Sequence, residues 1–361
     1  MIDFCSIPFT FKHHVKSSGP PEMMSKLLDE SGSKTCNARN VLLFAAGIGV
    51  TTLAGYGIYR LAKKYLDSRP PKKWRRVGEI TDIIVYPIKS CGPVRLSKVE
   101  CSSIGLQQGL LRDRIFMVIT TDGSFITGRS HPTMVLVQPK FDEAYETMTL
   151  SAPGMMDIAV DVKRLATVNP IKASVWGQTV TAVDCGEEVA RWFSRFLVSE
   201  DFGLRLVYYP LDHTTREVRE KNKIHKLLTA QDSGALHDAT SFMMLSEASV
   251  TDVNSRLERP VTALQYRANF LMKGPTAFEE NSWKWVKVGE TIYLNVKPCT
   301  RCLFTNVDPE TGIPSDDNEP LKTLKTYRKM PGLGDSPVVG AQMGIRVAGT
   351  VHLGDSVYVG C

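Results

Sequence analysis

Cys299 and Cys302 stand three residues apart in 297-KPCTRCLFTNVDPETG-312, the one close pair among eight cysteines. Such a pair has three ordinary readings: half a zinc site, a redox disulfide, or two small side chains packed as hydrophobes. Zinc needs three or four ligands, and the sequence offers neither a second CxxC nor a close histidine pair. A thioredoxin-type pair sits where a strand opens a helix, whereas Leu303–Val307 is predicted to continue as an apolar, strand-like run. Arg301 between the cysteines can lower a neighbouring thiol's pKa and can also hold phosphate. On residue types alone, a functional thiolate and a packed pair both stay open.

Other polar residues lie where their surroundings are apolar. Arg114 opens the run IFMVIT, where an unpaired charge is costly, and Asn269 adjoins Phe270 in a similar stretch. In 237-HDATSFMMLSEAS-249 a short polar turn leads into an apolar strand, which can present Asp238 at a barrel mouth. An exposed turn aspartate is the plainer reading of the same residues. His131, His213, His225 and His237 have no metal-ligand spacing. His237 is expected to be an exposed turn histidine, with proton relay as the alternative. The 308-DPETG-312 segment predicts a turn with Gly312 at positive φ.

The elements that must position these residues are mostly strands. Apolar runs predict strands at Ile80–Tyr86, Arg114–Thr120, Met134–Val137, Leu204–Tyr209, Ala263–Met272, Thr291–Val296 and Val351–Val359. Two helices are expected. In Glu187–Ser199 the residues Val189, Trp192, Phe193, Phe196 and Leu197 make one apolar stripe. The second follows Leu245, capped by Ser246, with Val250, Val253 and Leu257 facing inward and Pro260 ending it. Many short strands with few helices predict an α+β chain built on a β-barrel. No GxGxxG turn, Walker loop or HExxH motif is present, so no nicotinamide, flavin or nucleoside triphosphate site is indicated.

The net charge of +6 is unevenly spread. Between residues 60 and 76 eight lysines and arginines face only Asp67, which leaves +7 there and −1 elsewhere. A nucleic-acid footprint is therefore not expected. Just before this cluster, Val41–Tyr59 runs 19 residues without a charge. As a helix it would span about 28 Å, close to a bilayer's hydrocarbon core. A buried helix is the alternative, but the basic flank favours a membrane span with the remainder cytosolic. Scattered cysteines fit a reducing compartment. The expected organisation is a disordered tail over 1–40, a transmembrane signal-anchor over 41–62 and a basic linker over 63–76. Two domains follow, over 77–210 and 211–361.

The motifs together resemble the MOSC superfamily, named from the C-terminal domain of molybdenum-cofactor sulfurases. The resemblance rests on KPCTRC followed by DPETG, on 86-YPIKSC-91 and 111-LRDR-114, and on 245-LSEAS-249, 254-NSRLE-258, 266-YRAN-269, 324-LKTYR-328 and 353-LGDSVYV-359. It covers roughly residues 77–360. With the expected membrane span, the chain is most similar to the superfamily's amidoxime-reducing branch. The resemblance implies a β-rich α/β MOSC N-terminal domain before a MOSC barrel. It implies a molybdenum–molybdopterin cofactor with Cys302 as metal ligand and Cys299 in a supporting role. Asp238 is the second catalytic residue it implies. Cofactor contacts would come from Lys89, Ser90, Arg114, Arg267, Asn269, Thr300, Arg301 and Cys302. Ala239 stands where relatives carry a hydroxyl, so Thr240 or Ser241 is expected to replace that contact; Ala268 stands where relatives often carry proline. The implied activity is reduction of amidoximes, hydroxylamines and N-oxides. Electrons would come from cytochrome b5 and its NADH-dependent reductase, at the outer mitochondrial membrane, with endoplasmic reticulum and peroxisome as alternatives. A MOSC sulfur carrier or cofactor-binding module without reductase activity is the runner-up.

Overall fold

A computed structural model describes Tyr56, Tyr59, Arg60 and residues 69–361, of which 70–361 form one compact unit. The expected tail lies outside the described residues, as does the expected span apart from Tyr56, Tyr59 and Arg60. No helix among the described residues is long and apolar enough to cross a membrane.

An eight-stranded sheet dominates the C-terminal half. Its order is Phe270–Lys273, Phe242–Ser246, Val338–Val347, Thr291–Thr300, Trp285–Val288, Ser356–Gly360, Trp74–Val85 and Val94–Arg95. Trp74–Val85 also pairs with Phe270–Lys273, so seven of these strands close into a barrel. Phe242–Ser246 and Phe270–Lys273 run parallel, with helix Glu247–Asn254 between them in sequence. Alternating side chains fill the interior: Ile83, Val85, Phe242, Met244, Phe270, Tyr293 and Met343 are buried together. Each large apolar side chain removed from water contributes roughly 2 kcal/mol before entropy is counted. The first strand thus belongs to the C-terminal barrel, and it begins at Trp74, inside the expected linker.

A second sheet joins Ile171–Val175, Gln178–Asp184, Leu204–Tyr208 and Phe116–Thr120. Helix Glu187–Val198 covers it, burying Val189, Trp192 and Phe193 from the expected stripe. The second expected helix is also present, with Ser246 Oγ accepting from Ala248 N at 3.2 Å. It stops at Asn254, before Pro260, whose neighbour Val261 exchanges two hydrogen bonds with the Asn254 amide.

Several strand expectations fail for local reasons. Pro132–Leu136 is a 3-10 helix led by its proline, not a strand at Met134–Val137. Ala263–Tyr266 is a 3-10 helix capped by Thr262 and Gln265, and the strand starts only at Phe270. Leu303–Asn306 is likewise 3-10, with Thr305 N donating to Cys302 O at 2.9 Å. The run Val351–Val359 splits at a turn into strands Gly349–His352 and Ser356–Gly360. The DPETG turn forms as expected: Gly312 has φ 68°, and Asp308 Oδ1 accepts from Glu310 N at 2.7 Å.

Candidate active site

A pocket of about 240 Å³ opens where the barrel meets the N-terminal sheets. Ten expected site residues line it: Lys89, Ser90, Arg114, Asp238, Thr240, Arg267, Asn269, Thr300, Arg301 and Cys302. They arrive from five separate segments of chain.

Cys302 follows the long strand Thr291–Thr300 and is exposed, whereas Cys299 and Arg301 are buried. Both cysteines line the pocket, Cys299 within its wall and Cys302 at its open surface. Three extended residues separate their Cα atoms by about 10 Å, too far for a disulfide. Cys299 Sγ accepts from Gln342 Nε2 at 3.6 Å, a supporting contact within the wall. Arg301 clamps the strand end: Nε and Nη2 donate to Val339 O at 3.0 and 2.6 Å, and Nη1 to Tyr266 O at 2.6 Å. Its fork is largely spent on carbonyls.

Asp113, fully buried behind the pocket, is the hub that sequence reasoning did not single out. Its carboxylate accepts from Tyr86 N at 2.7 Å, His237 Nε2 at 3.0 Å and Asn269 Nδ2 at 3.1 Å, and from Arg114 Nη1. Burial alone would raise its pKa, yet Arg114, His237 and the Tyr86 amide hold it down at about 2. Asn269 also donates to Ile84 O and accepts from Met243 N, so its side chain chiefly ties strands together.

His237 is a correction: it is 1% exposed rather than an exposed turn residue. Burial lowers its pKa against the pull of Asp113, and its Nδ1 is buried without a partner. Buried Arg216 fixes this turn by donating to His237 O at 2.6 Å and Ala235 O at 3.2 Å. Ser241 is a second correction. It lies in the bend just before strand Phe242–Ser246 and does not line the pocket, and its Oγ donates to Ser103 O at 2.9 Å. Thr240 stays in the pocket but donates its hydroxyl to Phe242 O, keeping only acceptor capacity.

Asp238 presents a carboxylate at the pocket mouth, with 64% of its side chain open. Its Oδ1 accepts from Lys89 Nζ and from Trp176 Nε1 at 3.1 Å. Although its immediate shell disfavours charge, Lys89 and Trp176 hold its pKa well below the usual carboxylate range. Lys89 itself is 4% exposed; burial pulls its pKa down to about 8 although Asp238 opposes this.

Trp176 was not anticipated. It sits at the tip of the hairpin joining Ile171–Val175 to Gln178–Asp184, where φ is 55° at Trp176 and 77° at Gly177. Arg219 and Arg129 lie over its ring at 3.8 and 4.7 Å. Ser90, Arg114 and Arg267 share its left-handed backbone, so four of the eight such non-glycine residues described line this pocket. Each costs about 1 kcal/mol and persists because surrounding contacts impose it.

The wall carries eight cations, namely Lys89, Arg114, Arg129, Arg219, Lys221, Arg267, Lys297 and Arg301, against the single carboxylate Asp238. Arg129, Arg219, Lys221 and Lys297 carry no local signal that would have selected them. Arg267 stacks on Tyr86 at 4.0 Å and donates to Cys91 O at 2.8 Å, but its Nη2 is buried without an acceptor. An exposed thiol beside unspent cationic donors fits a phosphate-bearing, metal-chelating cofactor. Among the described residues no three His, Cys, Asp or Glu side chains gather as a metal site.

Family comparison agrees with this architecture. Residues 77–200 match the MOSC N-terminal beta barrel domain and residues 231–358 the MOSC domain. The barrel, its N-terminal partner and the cysteine-bearing strand therefore define a MOSC protein. Mitochondrial amidoxime-reducing component 1 of Mus musculus is 36% identical over 318 residues, covering 87% of this chain and 91% of the relative. The Danio rerio protein of the same name is 38% identical, covering 89% and 94%, and the Homo sapiens protein 35%, covering 89% and 96%. The chain belongs to the family of mitochondrial amidoxime-reducing components.

Proposed function

We propose that this protein is a molybdenum-cofactor-dependent reductase of N-hydroxylated compounds, such as amidoximes, hydroxylamines and N-oxides. The observation that carries the reading is the exposed Cys302 thiol in a pocket with eight cations and one carboxylate. Cys302 would be the protein's ligand to the metal, and the cofactor itself would complete the coordination. Arg267 Nη2, Ser90, Arg114 and the segment Thr300–Cys302 would hold the pterin and its phosphate. When bound, the cofactor supplies the two-electron redox chemistry that an N–O bond requires and that no side chain here can supply.

The chain's own residues handle the protons. With Asp238 far below and Lys89 near 8, the proton of the pair resides on Lys89 Nζ at neutral pH. Asp238 therefore acts as acceptor and relay rather than as a proton store. Its Oδ1 is held by Lys89 and Trp176, which leaves Oδ2 available to accept from the substrate's hydroxylamine group. Cytochrome b5 and its NADH-dependent reductase are the proposed electron donors, and the outer mitochondrial membrane the proposed site, with the domain in the cytosol on a single N-terminal anchor. Relatives named as mitochondrial support the organelle.

The test is reconstitution of the full chain with NADH, cytochrome b5 and its reductase on benzamidoxime. Wild type should consume NADH stoichiometrically with benzamidine formed, and Cys302→Ala should lose at least about a hundredfold in rate. Equal turnover by folded Cys302→Ala would remove the ligand assignment.

A further inference from the structure

Lys297 lies on the strand Thr291–Thr300, five residues before Cys302, and reaches the wall of the same pocket. It is 6% exposed, yet among the described residues its ammonium has no carboxylate or carbonyl partner. Its nitrogen is not among the sealed, partnerless atoms, so it opens to the pocket, and the neighbouring cations make its unpaired charge costlier. Burial lowers its pKa, and Lys221, Arg219 and Arg301 add to that against the partial counter-pull of Cys299. Gln342, its register partner on the adjoining strand, spends its amide N–H on Cys299 Sγ, so the cationic donors at this end are the lysines. Lys221 lies within electrostatic reach of both Lys297 and Cys302, so cationic side chains line the way between them. The cations at the other end already have partners: Lys89 meets Asp238 and Arg114 meets Asp113. The Lys297 end has unspent positive charge and no carboxylate.

We propose that Lys297, with Lys221, forms a carboxylate-binding subsite that selects N-hydroxylated substrates carrying an anionic group away from the reacting nitrogen. This deepens the reductase reading and rests on it for the substrate class. A phosphate of the cofactor could present the same anionic chemistry, and the experiment separates the two sources.

With the full-length holoenzyme, kcat/KM is measured for benzamidoxime and for 4-carboxybenzamidoxime. Wild type should favour the carboxylate. Lys297→Met should lower the carboxylate-to-neutral ratio at least about tenfold, the worth of one charge-assisted hydrogen bond, while Lys297→Arg retains it. A second arm measures benzoate binding by calorimetry, where Lys297→Met should weaken affinity by a similar factor. The methionine fills comparable volume and removes a charge that has no partner in the wall, so its melting temperature should not fall. An unchanged ratio or unchanged benzoate affinity overturns the proposal. Loss of molybdenum from Lys297→Met also overturns it, by assigning the lysine to the cofactor. Reduction of neither substrate would sink the reductase reading alone, and the benzoate arm then decides the subsite by itself.

Discussion

Asp113 governs the site from beneath, because three residues that reach the pocket depend on its one carboxylate. Arg114, His237 and Asn269 all donate to it, and it touches no solvent. Its pKa of about 2 lies below the unfolded value of about 3.9, so it contributes stability above that value. The contribution is lost as pH falls from about 4 through 2, and it is worth on the order of a few kcal/mol. Asp113→Asn should therefore be less stable by a few kcal/mol at pH 7, with the gap closing toward pH 2. Urea unfolding at pH 7, 5 and 3 measures this, and parallel pH profiles for the two proteins would contradict it. LRDR drew attention for its arginine, whereas the aspartate is the residue that organises the pocket. Nothing in the sequence places Asp113 beside His237 and Asn269, since that meeting joins positions 124 and 156 residues apart.

The strand Thr291–Thr300 and its partner Val338–Val347 set how Cys302 is presented. Register slips between Pro298 and Thr300, and opposite the slip Gly340 adopts φ 77°. A Cβ there would lie 2.2 Å from Met243 Cε and 2.8 Å from Met244 O, beside Arg301 Nη2. Gly154, at φ 73° with open space around it, isolates the backbone cost alone. Gly154→Ala should cost about 1 kcal/mol, and Gly340→Ala about 3 kcal/mol, with a melting temperature lower by several degrees. Equal melting temperatures for the two variants would show that the Gly340 contact does not matter. At this scale the strands at Ile80–Tyr86 and Thr291–Val296 and both amphipathic helices were legible, because apolar periodicity follows burial directly, whereas the barrel strands Trp285–Val288 and Val338–Val347 are not among those expected. The 3-10 turns at Pro132–Leu136, Ala263–Tyr266 and Leu303–Asn306 were not, since short apolar runs look alike whether extended or turned. The Trp176 hairpin tip and the Arg129–Trp176–Arg219 stack arise from tertiary approach, which spacing does not encode.

Across the molecule, charge is divided between a basic cluster at residues 60–76 and a near-neutral remainder whose pocket is nonetheless cationic. The first suits an anionic membrane surface and the second an anionic ligand. The proposed anchor gives a direct expectation: the full chain should float with phospholipid vesicles on a density gradient, and a chain lacking residues 1–69 should not. Flotation of both, or of neither, would contradict a single N-terminal anchor. Tethering would raise the effective concentration of a membrane-bound electron donor without any new contact. The motif order over residues 77–360 made the family readable in the sequence, whereas the roles of Arg301 and Asn269 as backbone clamps are visible only in the fold.

The central claim is that Cys302 binds molybdenum, and metal content tests it most directly. The full chain, expressed in a host that makes the molybdenum cofactor, is analysed by plasma mass spectrometry beside folded Cys302→Ala. The expected result is about one molybdenum per chain in the wild type and almost none in the variant. A folded, cofactor-supplied wild type without molybdenum, or a variant that retains it, would contradict the claim.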